Sequence, residues 1–102
     1  MFSPCILLVH NDVKLLVRLE AALRRAGYRV LTANTSRQAT YLAQAALPEV
    51  ILCDAADDFH VKSTLAQDSQ TAAIPFIRLT KMLDQHELIA SVNAVIRGQV
   101  IR

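Results

Sequence analysis

Two stretches of the chain are apolar without interruption: Cys5-Ile6-Leu7-Leu8-Val9, and Val50-Ile51-Leu52-Cys53, which runs straight into Asp54. Runs this short and uniform predict strands covered on both faces, as in a parallel sheet. A strand with one wet face alternates instead. Between the two runs the period changes. Leu16, Leu19, Leu23 and Ala26 recur at helical spacing among Lys14, Arg18, Glu20 and Arg24, which predicts an amphipathic helix. His10-Asn11-Asp12 makes the turn into that helix, with Asn11 or Asp12 as its cap. Gly27 suits the position just past its end, where positive φ costs glycine nothing. Tyr28 to Thr32 is short, mixed and β-prone, the profile of an edge strand. Thr35 with Gln38 has capping-box spacing. Ala39, Leu42, Ala43 and Ala46 then give a second helix a small, close-packing face, and Pro48 stops it.

After Asp54 the pattern weakens. Ala55 to Phe59 reads as a loop with an acidic pair at Asp57 and Asp58, and Val61 with Leu65 supports a short, marginal helix. Ser69 to Ala73 reads as a linker. Ile74-Pro75-Phe76-Ile77-Arg78-Leu79-Thr80 reads as a strand that Pro75 confines to a sheet edge or a strand start. Asp84 with Glu87 marks a helix start. Leu88, Ile89, Val92, Val95 and Ile96 form its wide apolar stripe, and Gly98 is expected to break or fray its end. Strand and helix therefore alternate four times, which implies an α/β domain with a parallel sheet and right-handed crossovers. Such sheets place their chemistry at the carboxyl ends of the strands, where Asp54 stands.

Composition narrows the class. The 102 residues fit one domain, 1–102, and 53% hydrophobic content is too high for a disordered chain. Two glycines and three prolines leave little room for irregular segments. Eleven basic against nine acidic residues gives a net charge of +2 with no basic block, so no direct contact with nucleic acid is expected. No apolar run approaches the roughly 18 residues of a membrane helix. The first residues lack the basic and apolar regions of a secretory signal. The expected compartment is the cytoplasm, with no membrane association. Cys5 and Cys53 fall at opposite ends of their runs, so they are expected as two reduced, buried thiols rather than a disulfide.

Five stretches together resemble the response-regulator receiver domain. Ile6 to Val9 with the polar residues after it is similar to the family's first strand and acidic turn. Ala26-Gly27-Tyr28-Arg29-Val30 resembles its Ala-Gly-Tyr-x-Val. Leu47 to Asp54 resembles the Pro-Asp-Leu-Ile-Leu-Leu-Asp segment ending in the phosphorylated aspartate. Ala73 to Ile77 resembles its Ile-Pro-Val-Ile strand. Lys81-Met82-Leu83-Asp84 through Glu87-Leu88 resembles the Lys-Pro-Phe-Asp entry to the last helix. The resemblance implies a flavodoxin-like three-layer α/β sandwich. The sheet order is expected to be 2-1-3-4, with the first and last helices on one face and the second and third on the other.

The departures from the family matter most. Where the resemblance implies two acidic residues that bind Mg²⁺ with the phosphoacceptor, this chain has His10 and Asn11. Mg²⁺ is a hard cation that wants oxygen ligands, usually including carboxylates, and Asp54 is then the one matching carboxylate. The Met-Pro-x-x-Asp-Gly loop after the phosphoacceptor is replaced by Ala55-Ala56-Asp57-Asp58-Phe59. The family's fourth helix and fifth strand are missing, since Leu79-Thr80-Lys81 joins the Ile-Pro strand directly to the last helix. Thr80 and Lys81 match the switch threonine and the phosphate-binding lysine. They are adjacent here, so normal geometry cannot serve both.

The resulting expectation is a phosphorylation-independent pseudo-receiver. It would be a regulatory protein–protein interaction module, dimerising, in bacterial signal transduction or transcription control, with no cofactor and no enzymatic activity. The competing reading is an active receiver phosphorylated on Asp54 with Mg²⁺. His10 beside Asp54 reads as a turn residue in preference to a pH-sensitive pair. His60 and His86 lack metal-ligand spacing and read as surface residues. Cys53 lacks a base and does not read as a nucleophile. The strand with Ile74, Phe76 and Arg78 has two readings left open. Either it is an exposed edge that pairs with a protein partner or a second copy, or the last helix and its entry loop cover it.

Overall fold

The computed structural model describes residues 4–10, 12–54, 58–79 and 85–101. Eight elements alternate: β1 (Cys5–Val9), α1 (Val13–Arg25), β2 (Arg29–Ala33), α2 (Ser36–Ala46), β3 (Val50–Asp54), α3 (Asp58–Ala66), β4 (Phe76–Leu79) and α4 (Gln85–Ile101). The strands form one parallel sheet in the order β2-β1-β3-β4. Both apolar runs are central strands, as their uniform sequence requires.

Alternation along each strand divides the core in two. Ile6, Leu8, Val30, Val50, Leu52 and Leu79 point to one face, where Leu16, Leu19 and Leu23 of α1 and Leu88 and Val92 of α4 meet them. Leu7, Val9, Ala33, Ile51 and Cys53 point to the other, beneath Ala39 and Ala43 of α2 and Val61 and Leu65 of α3. The layer assignment expected from the sequence is the one observed. Cys5 and Cys53 are both buried and neither is in a disulfide.

Helix ends follow local chemistry. At the end of α1 the Tyr28 N–H donates to the Leu23 carbonyl (3.2 Å) and the Gly27 N–H to that of Arg24 (3.0 Å), with Gly27 at φ 101°. This is a Schellman closure. It takes the amide of Tyr28, so the strand opens at Arg29 and not at Tyr28. Helix α2 ends on Leu47 in the left-handed region (φ 48°), immediately before Pro48.

Three sequence expectations are corrected. Helix α4 runs through Gly98 to Ile101; an internal glycine costs a helix about 1 kcal/mol, which weakens it without ending it. Helix α3 begins at Asp58, inside the expected loop. The last strand is shorter than 74–80. The Ile74 N–H is already donated to the Thr71 carbonyl (3.1 Å) and Pro75 has none to give, although its carbonyl accepts from Ile51 (3.0 Å). Ile74 therefore precedes the edge strand and does not belong to it. Asn11, Thr80, Lys81 and Asp84 lie outside the described residues.

Candidate functional site at the carboxyl ends of the strands

Strand register brings the site residues level. Val9 pairs with Ala33 on one side and with Cys53 on the other, and Asp54 pairs with Leu79. His10 follows Val9 as Asp54 follows Cys53, so the backbones of His10 and Asp54 stand side by side on neighbouring strands. The His10 N–H donates to the Ala33 carbonyl (3.1 Å), which carries the β1–β2 ladder one step further.

The turn between β1 and α1 is closed by its own side chains. The Asp12 N–H donates to Nδ1 of His10 (2.9 Å). Asp12 Oδ1 accepts from the Lys14 N–H (3.1 Å) and the Leu15 N–H (3.4 Å). The Asp12 carbonyl accepts from the Leu16 N–H (3.0 Å), the first bond of the helix. Asp12 is thus the cap that the sequence offered as one of two choices, and its carboxylate serves the first turn of α1. The next turn at this end is simpler. Thr35 Oγ1 accepts from the Gln38 N–H (3.1 Å), and Gln38 Oε1 accepts from the Asn34 N–H (3.2 Å).

Among the described residues, the end of β1 suits a divalent cation poorly. Hard cations take oxygen ligands. At the end of β1 the structure offers an imidazole whose Nδ1 is occupied and a carboxylate already receiving two backbone amides. Among the described residues no group of three or more His, Cys, Asp or Glu could hold a metal ion. Of the remaining expected site positions, Asp54 closes β3 and Phe76 and Arg78 lie in β4, whereas Asn11, Thr80 and Lys81 fall outside the described set. His86 is exposed at the start of α4. It lines an open groove of about 390 Å³ with Ala22, Arg25, Ala26 and Ile89.

The fold is that of the response-regulator receiver domains. The chain superposes on the chemotaxis response regulator CheY4 of Vibrio cholerae with a TM-score of 0.84, covering 92% of this chain and 99% of that one at 21% identity. It superposes on the receiver domain of the Pseudomonas aeruginosa sensor histidine kinase PA1611, which has a magnesium ion coordinated in its active site cleft, with a TM-score of 0.86 over 93% of this chain and 98% of that one, also at 21% identity. In sequence it is 28% identical to protein PilH of Pseudomonas aeruginosa over 118 aligned positions, spanning 91% of this chain and 98% of that protein. An alignment longer than the whole of this chain must cross gaps on its side, in keeping with a chain shorter than that protein. No family model matches the chain. Among the described residues no helix is long and apolar enough to cross a membrane.

Proposed function

We propose that the chain is a regulatory receiver-like module of bacterial signal transduction or transcription control that works in the cytoplasm without being phosphorylated, through contact with a protein partner or a second copy. The observation that carries this reading is the β1–α1 turn. His10 stands where the resemblance calls for an acidic metal ligand, and the nearby Asp12 carboxylate caps α1. Phosphoryl transfer to a carboxylate crowds negative charge, which Mg²⁺ normally offsets. The PA1611 receiver coordinates magnesium in its cleft, whereas in this chain Asp54 closes β3 and His10 follows β1. Incubation with acetyl phosphate or beryllofluoride and MgCl₂, read by intact mass and NMR shifts, is expected to leave Asp54 unmodified. A stable, Mg²⁺-dependent adduct on Asp54 would establish the active-receiver reading in its place.

The proposed contact surface is β4, the outermost strand of the sheet opposite β2. The bond from Ile51 to the Pro75 carbonyl sets the alternation of the parallel ladder. It turns the amides and carbonyls of Phe76 and Arg78 away from β3. The side chain of Phe76 packs into the core, so pairing would run through backbone. Arg78→Pro removes one outward amide and no bond to β3, as edge strands tolerate. Light scattering over a concentration series should show dimers in the parent and monomers in Arg78→Pro. A parent that stays monomeric at high concentration would remove the edge from the proposal.

A further inference from the structure

Nδ1 of His10 accepts the Asp12 N–H at 2.9 Å, and an imidazole nitrogen accepts only when it carries no proton. In the neutral ring the proton is then on Nε2, which makes that nitrogen a donor. The amides of Asp12, Lys14, Leu15 and Leu16 all find acceptors within the turn itself. Those of Asp12, Lys14 and Leu15 are groups that a helix start must otherwise leave to water or a ligand.

We propose that His10 is a positioning residue that replaces a cation: it clasps the β1–α1 turn in the Nε2–H tautomer, so that the turn is ordered by its own side chains and gains nothing from a divalent ion. This deepens the phosphorylation-independent reading by naming the residue that does the ordering, and it rests on that reading only for the absence of Mg²⁺ chemistry. A carboxylate at position 10 would attract a cation. A neutral imidazole at the same position brings no negative charge to draw one in. The turn is therefore set before any partner arrives, with no ion required.

The test uses the full chain, ¹⁵N-labelled, at about pH 8, above the ordinary histidine titration range. Long-range ring spectra should show His10 as the Nε2–H tautomer. Millimolar MgCl₂ should leave the Asp12, Lys14 and Leu15 amides unmoved. His10→Ala should speed exchange of the Asp12 amide roughly tenfold, the worth of one hydrogen bond. His10→Asn keeps a side-chain acceptor two residues before that amide and should restore its protection. His10→Asp keeps the acceptor, adds a carboxylate, and should make these amides respond to MgCl₂. An Nδ1–H tautomer, or a saturable Mg²⁺ response in the parent, overturns the proposal. An Asp54 adduct alongside an Nε2–H ring and Mg²⁺-blind turn amides would instead remove the phosphorylation-independent reading and leave the clasp standing.

Discussion

The two faces of the sheet are packed by different means, although the same strands serve both. On the α1/α4 face, long aliphatic side chains meet long aliphatic side chains, Leu16, Leu19, Leu23, Leu88 and Val92 over Ile6, Leu8, Val50 and Leu52. On the α2/α3 face, Ala39 and Ala43 bring a helix down onto Leu7, Val9, Ile51 and Cys53, and α2 and α3 lie close together. That second face also holds Thr71, 2% exposed and the one buried polar side chain among the described residues. The first face therefore holds by volume, which deletion empties, and the second by close approach, which added volume prevents.

Deletion on the volume-filled face should have the largest effect. Leu52 is fully buried in the middle of β3, and Leu52→Ala is expected to cost about 2–5 kcal/mol, the range for leucine truncations that leave a cavity. Urea denaturation measures it. A loss below about 1 kcal/mol would mean that α4 collapses into the gap and that the face is loosely held.

Addition on the close-packed face should come next. Ala43 is fully buried, and Ala43→Leu is expected to destabilise by about 1–3 kcal/mol through overpacking. The slack on this side lies elsewhere, in a cavity of about 80 Å³ lined by Ile51, Leu65, Thr71, Ile74 and Phe76. A neutral Ala43→Leu would erase the contrast between the faces.

Thr71 separates the faces by chemistry instead of size. Its hydroxyl donates to the Leu65 carbonyl at 2.6 Å, in the last turn of α3. Thr71→Val keeps the shape and removes that bond, leaving the Leu65 carbonyl the longer one from the Asp68 N–H (3.3 Å), so a loss of about 1 kcal/mol is expected, together with faster amide exchange across the last turn of α3. A variant that exchanged no faster would show that α3 is held by Val61 and Leu65 alone.

How much of this the chain announces depends on how local the cause is. The central strands were legible because Cys5–Val9 and Val50–Cys53 are apolar throughout, and only burial on both faces explains that. The caps at Asp12 and Thr35 were legible because each lies within three residues of the amides it serves. Asn11 competed with Asp12 on sequence, and the geometry chose. Thr71 was not legible: one threonine among turn residues does not reveal that its hydroxyl reaches back six positions. Nor was the bond from the Arg24 guanidinium to the Val30 carbonyl (3.1 Å), although the Glu20–Arg24 spacing behind it was. Leu47 did leave a signal, since a residue before proline is pushed out of the right-handed helix. The site was half legible. The replacement of acid by His10 could be read directly, but the bond from the Asp12 amide to its ring is a property of the folded turn.

The smallest expected effect concerns Cys5, at the amino end of β1. Burial pushes its thiol above the ordinary cysteine value, partly opposed by Arg29 and reinforced by Glu49. The unfolded thiol therefore ionises first as the solution becomes alkaline. Because the folded value is the higher one, the contribution is intact below the unfolded value, near pH 8.5–9, and drains away as pH climbs through the folded one. Urea midpoints for the parent and Cys5→Ala should therefore converge between pH 7.5 and about 10, since only the parent carries this loss. Tyrosine and lysine ionisation affects both proteins alike and cancels in the difference. Parallel curves across that range would show that the Cys5 thiolate is as well accommodated in the fold as in the open chain, and that the amino end of β1 is wetter than its side-chain burial implies.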